Sequence, residues 1–140
     1  NLLAGRISIT FCIFVLRNIC EPMRQIKHIQ DYEKFRSILA GKLIDGNKFW
    51  SYDRESVLRN ISDEDIIENT LIYLDIDDIN ILFRIYPIRK IKKVWATTMA
   101  LQDNRYKDLN RFIAGCYFGV KNPDSYVRRV RLHELNNRYQ

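Results

Sequence analysis

From Met23 onward the apolar residues recur every three or four positions, a period that lines them along one side of an α-helix rather than alternately across a strand. In "MRQIKHIQDYEKFRSILAGKL" the residues Ile26, Ile29, Ile38 and Leu39 keep that spacing, with Tyr32 or Glu33 and Phe35 or Arg36 between them, and Gly41 is placed to end the element. "LIDGNKFWSYDRESVLRN" then reads as a loop, because Asp45, Gly46 and Asn47 supply turn chemistry. Ser62 followed by Asp65 forms a capping box, Asp63 and Glu64 suit the positive end of a helix, and Ile66, Ile67, Thr70, Leu71 and Leu74 make one stripe.

The remaining pattern is also helical. Asp77 or Asp78 opens a short helix with Ile79, Leu82, Phe83 and Tyr86 inward, and Pro87 stops it or begins the next. In "IRKIKKVWATTMALQ" the residues Ile88, Ile91, Trp95, Thr98, Met99 and Gln102 share roughly 100° of a helix surface. After a turn at Asp103 and Asn104, a broad apolar face carries Tyr106, Leu109, Phe112, Ile113, Cys116 and Tyr117, with Gly119 as its cap. Asn122 and Pro123 then serve as cap and first residue of a final basic helix containing Tyr126, Val127 and Val130.

These elements predict an all-α fold, a single small domain of short packed helices over residues 23–140 arranged as an α-hairpin array. Composition agrees: 140 residues with 46% hydrophobic side chains support one core, while five Gly and three Pro are too few for the turns of a sandwich or barrel. Residues 1–22 stand apart. "RISITFCIFVL" has the outline of a signal-peptide core but no small-residue cleavage site follows, and it is about half as long as a membrane span requires. A segment upstream of the natural start, a buried strand or helix, and an export signal all remain open, and no membrane partner is expected.

The chemistry-bearing residues are sparse. Cys12, Cys20 and Cys116 are an odd count with no C-x-x-C spacing, which indicates reduced thiols in a cytoplasmic protein and neither a disulfide framework nor a zinc site; Cys116 sits in an apolar pattern and reads as core. His28 has no second ligand at metal spacing. Asp63, Glu64, Asp65 and Glu68 are explained as a capping turn and solvated face, and the neighbours His133 and Glu134 point to different sides of a helix. No phosphate-loop, dinucleotide, zincin or nucleophile-elbow motif occurs, so neither enzyme activity nor a cofactor or metal is expected.

Charge is segregated along the chain. Residues 61–86 hold seven acids and one base, 87–102 four bases and no acid, and 121–140 five bases against two acids. Neighbouring helices whose rims attract would explain this at little energetic gain. The sharper reading makes Arg89, Lys90, Lys92 and Lys93 on one helix, with Arg128, Arg129 and Arg131 on another, a surface for an acidic protein or for phosphates. A homo-oligomer stays open as well. Sequence-specific DNA reading would need a helix-turn-helix with a short Gly-containing turn, and none stands out.

Phe49 and Trp50, two adjacent aromatics inside a polar stretch, have the size to close the end of a helical core. Followed by "SDEDIIENTLIYLD", "FRIYP", "IRKIKKVW" and "LNRFIAGCYFGV", they give an order of elements, from Phe49 to about Ser125, that resembles a family of short bacterial proteins of unknown function often encoded beside AbiEii/AbiGii-type nucleotidyltransferase toxins. In that pattern an acidic residue directly follows the Phe-Trp pair, where this chain has Ser51 and then Asp53. The resemblance implies a non-enzymatic protein-interaction module, antitoxin-like or a regulatory partner of a nucleotidyltransferase-type toxin. A DNA-binding transcriptional regulator using the basic helices is the alternative.

Overall fold

The structure is a computed structural model and describes residues 29–46 and 53–140. Among these residues there are seven α-helices, one π-helical turn and no strand, so the all-α expectation holds. Phe49 and Trp50 lie outside the described residues, as do His28, Cys12, Cys20 and the whole apolar segment 1–22. The chain divides into two compact units, whose described parts fall within residues 22–91 and 92–140.

The first unit contains α1 (Ile29–Asp45), α2 (Arg54–Asn60), α3 (Asp63–Tyr73), α4 (Ile76–Ile85) and the start of α5 (Ile88–Thr97). Helix α1 packs on α2, α3 and α4, and α3 packs on α4. Gly41 does not end α1 as expected: the helix continues to Asp45, because Leu43 beyond it is fully buried and that burial outweighs the roughly 1 kcal/mol a mid-helix glycine costs. Residues 54–60, read from sequence as loop, form α2. Asp53 caps it by accepting the Ser56 N–H at 3.3 Å, but only Val57 is buried, too little to show a period.

Helix α3 begins where its capping box placed it, with Ser62 Oγ accepting the Asp65 N–H at 3.0 Å. Of its expected stripe Ile66, Ile67, Thr70 and Leu71 are buried, together with Ile79 and Leu82 of α4 and Leu39, Ala40 and Leu43 of α1, while Leu74, at the helix end, is half-buried. The cap of α4 is Asp75 rather than Asp77 or Asp78, and its carboxylate accepts the Asp78 N–H at 3.3 Å. That one-turn shift turns Asp78 inward. It is 2% exposed and accepts a hydrogen bond from Lys42 Nζ at 2.6 Å; burial, with the neighbouring Asp75 carboxylate, pushes its pKa up against the pull of Lys42.

One carboxylate ties most of this unit together. Asp63, the first residue of α3, accepts from Arg36 Nε at 3.1 Å and Tyr32 OH at 3.4 Å on α1, from Tyr86 OH at 2.8 Å at the end of α4, and from Lys90 Nζ at 2.9 Å on α5. Arg36 also donates to the Ile61 carbonyl at 2.6 Å, and Tyr32 meets Tyr86 edge to face. Partial burial by itself would raise the Asp63 pKa. The hydrogen bonds from Lys90, Tyr86 and Arg36 more than reverse that and hold it at about 2. The same bond, added to burial, pushes the Tyr86 phenol up.

The second unit contains the rest of α5, α6 (Lys107–Phe112), a π turn (Ile113–Tyr117) and α7 (Pro123–Arg138). The pattern predicted α5 to run to Gln102, but it stops at Thr97. Thr97 and Thr98 hydroxyls donate to the Lys93 and Val94 carbonyls at 2.9 and 2.7 Å, and the Ala100 N–H reaches back to Trp95 O at 2.9 Å, so the regular ladder is lost. Ile113, Ala114, Cys116 and Tyr117 of the π turn are all buried; Ile113, Cys116 and Tyr117 share a face at helical spacing, and Ala114 joins them. Gly115 lies where an added Cβ would come within 3.3 Å of Pro123. Gly119 caps the turn at φ +66°, and Asn122 caps α7 by accepting the Ser125 N–H at 3.2 Å, both as expected.

Cys116 is buried, as its apolar setting predicted, but it is disulfide-bonded and not reduced. For Cys116 the expectation of a reduced thiol is corrected accordingly; Cys12 and Cys20 lie outside the described residues.

Two outcomes follow for stability. Asp63→Ala strands Arg36, Tyr86 and Lys90 together and should lower the unfolding free energy by about 2 kcal/mol in urea titrations. Because the folded pKa of about 2 lies below the unfolded value of 3.8, this contribution is complete above that unfolded value and fades as pH falls toward 2, so the acid limb of the stability curve should flatten in the variant. Thr70 is fully buried and its hydroxyl has no hydrogen-bond partner among the described residues. Thr70→Val should therefore stabilise by about 1 kcal/mol, against the usual direction of core substitutions.

Candidate partner-binding surface on the basic helices

The seven cations singled out from the sequence fall into different settings. Arg89 and Lys90 belong to the first unit, and Lys92, Lys93, Arg128, Arg129 and Arg131 to the second. Lys90 is engaged internally: it donates to Asp63, lies 3.8 Å from Glu64 and sits over the Tyr86 ring at 5.5 Å, and these carboxylates raise its pKa. Arg89 and Lys93, on the outer side of α5, are exposed.

In residues 92–140, the described part of the second unit, ten Lys and Arg stand against four Asp and Glu, a net of +6. That equals the charge of the entire chain, so residues 1–91 are neutral in sum. The basic character of the protein is therefore a property of this unit.

Its aromatic centre is Trp95, on the inner side of α5 and 1% exposed. The indole N–H donates to Asn110 Oδ1 at 3.0 Å, and Asn110 Nδ2 donates in turn to the Met99 carbonyl at 3.0 Å and to Asp103 at 3.1 Å. Tyr126 of α7 stacks on Trp95 with ring centroids 5.9 Å apart and planes 9° apart, while Phe118 meets it edge to face at 5.2 Å. Two of the expected cations cover these rings. Lys92 Nζ lies 5.2 Å from the Phe118 centroid and the Arg129 guanidinium 5.5 Å from that of Tyr126.

Helix α7 is presented at its outer side. Of its sixteen residues only Val127 is fully buried, while Arg128, Arg129, Arg131 and Leu132 are exposed. Its start is pinned by Arg111, which donates to Asp124 and also to Asp103 at 2.8 and 3.2 Å. Burial would raise the Asp103 pKa, but Arg111 and Asn110 bring it below the ordinary carboxylate value. Further along, Arg138 donates to the Thr97 carbonyl at 3.1 Å, tying α7 to the end of α5. His133 lies 3.1 Å from the Asn137 amide and makes no pair with Glu134.

Sequence reasoning missed Asn110 and Arg111. Asn110 is fully buried beside Phe112 and Ile113, and the signal was there: a short polar residue inside an apolar face. The Asp63 node was missed because its donors lie 23 to 31 residues away in sequence.

No helix among the described residues is long and apolar enough to cross a membrane, and none of their acidic, histidine and cysteine side chains cluster as metal ligands. Comparison with protein-family models, with curated proteins and with solved structures finds no match.

Asn110→Ala removes the acceptor of the buried Trp95 N–H, which is then left without that partner, and one of two donors to Met99 O, which keeps the Gln102 N–H at 3.1 Å. The expected cost is about 1 to 3 kcal/mol in chemical denaturation, with a change in near-UV dichroism as the indole environment loosens.

Proposed function

We propose that this chain is a non-enzymatic protein-interaction module that docks an acidic protein surface through the basic side of its C-terminal unit, with Arg128, Arg129 and Arg131 of α7 and Lys92 and Lys93 of α5 as contacts. One observation carries the reading: α7 buries only Val127 while its start and end are tied down by Arg111 and Arg138. A helix held firmly on one side and left uncovered on the other is preorganised for a partner, since little further ordering is needed on binding. Its charge favours an acidic surface, which steers encounter as well as fixing register.

The sequence resemblance suggests the partner, a nucleotidyltransferase-type toxin, with this chain as the antitoxin-like or regulatory component. Such a role belongs to the cytoplasm, a compartment of reduced thiols, and the Cys116 disulfide counts against that placement.

A DNA-binding regulator is the second reading, favoured by the concentration of the whole net charge of +6 in residues 92–140. The two separate by salt and by nuclease. Phosphate contacts lose affinity steeply as counterions compete, whereas a protein complex survives nuclease treatment.

The full chain, tagged and recovered from its native host in nuclease-treated and untreated halves, should bring down one stoichiometric protein in both. Arg128→Gln/Arg129→Gln/Arg131→Gln should weaken the reconstituted complex by about tenfold or more without lowering the melting temperature. Recovery of nucleic acid alone, lost on nuclease treatment, would transfer the function to DNA binding.

A further inference from the structure

We propose that Lys92 and Arg129, each held over a ring of the Trp95, Phe118 and Tyr126 cluster, are the carboxylate-capturing centre of this surface and take an acidic peptide segment of the partner. The inference rests on the reading of the chain as a protein-binding module and names the chemistry of that same site.

The first support is what these two cations lack. Arg36, Lys42, Lys90 and Arg111 are each neutralised by a carboxylate within 3.1 Å. Lys92 and Arg129 have no ion pair and no hydrogen bond among the described residues; aromatic rings alone hold them. A ring face attracts a cation by its quadrupole but leaves the N–H donors unused. Lys92 is moreover half-buried, which limits the positions its side chain can take. A charge kept in place and still carrying free donors is ready for an incoming anion, and the guanidinium of Arg129 can take a carboxylate with two parallel bonds.

The second support comes from the rings. Tyr126 has Trp95 stacked on it and Arg129 over it, Phe118 has Lys92 over it and Trp95 at its side, and Trp95 itself is buried. Neighbours already stand against each of these rings, which leaves less of them for a nucleotide base, and stacking is what single-stranded nucleic acid needs from such a site. The cluster sits on α5, the Phe118 corner and α7 rather than in a row along one helix, which suits a short acidic segment better than a continuous duplex backbone.

The test compares two double variants of the full chain that remove the same charge: Lys92→Gln/Arg129→Gln and Arg128→Gln/Arg131→Gln. Binding of a fluorescent glutamate-rich peptide is followed by anisotropy at low salt, beside a duplex DNA of equal charge. Near-UV dichroism checks that the Trp95 cluster is intact in each variant. The ring-supported pair should lose about tenfold in peptide affinity and the other pair less than about threefold. Equal losses, or no peptide binding by the unaltered protein, overturn the inference while the partner recovered from the host still decides the protein-binding reading. Duplex DNA binding more tightly than the peptide, with both pairs losing equally, overturns the inference and the protein-binding reading together.

Discussion

The carboxylate of Asp63 is the constraint on which the N-terminal unit depends. A single side chain at the first position of α3 receives donors from α1, from the end of α4 and from α5, so four helices share one acceptor. An anion at a helix start is favoured on its own account. Here that modest preference is extended by two cations and two phenols, and the balance of burial against hydrogen bonding comes out on the charged side. The hydrophobic contacts of these helices carry more energy in sum, but they tolerate rotation. Four donors aimed at two oxygens do not.

Asp78 shows the same chemistry with the opposite balance. It is nearly sealed from water, meets one lysine and lies beside a second carboxylate, so its charged form is disfavoured. Both residues are aspartates near helix starts in the same acidic stretch. Number of donors and depth of burial separate them.

In residues 92–140 a buried asparagine and a half-buried arginine serve a different end. Asn110 and Arg111 bind the turn after α5 to α6 and to the start of α7, and Trp95 carries that order outward to Tyr126. The consequence is a cation-bearing surface whose supports are fixed from behind. Lys90, one helical turn earlier than Val94, is spent on Asp63, which shows that counting bases along a helix does not tell which of them face a partner.

Much of the fold was legible in the residues. The capping signals at Ser62 and Asn122, the left-handed Gly119 and the inward stripe of α3 are decided within a few residues, because capping and amphipathicity are local. The cap of α4 was misplaced and α2 overlooked, since several aspartates compete at the first and a two-turn helix with one buried residue has no period to read. Gly41 failed as a stop because the burial of Leu43 overrides a local preference. What the tertiary structure alone decided is which charges are consumed. Asp63 with Lys90, Asp78 with Lys42, and Arg111 with Asp103 are set by distances between helices, whereas the openness of Lys92 and Arg129 follows from the absence of any carboxylate opposite them among the described residues. Sequence specifies the charge on each side chain, and only packing fixes what stands within hydrogen-bond reach of it.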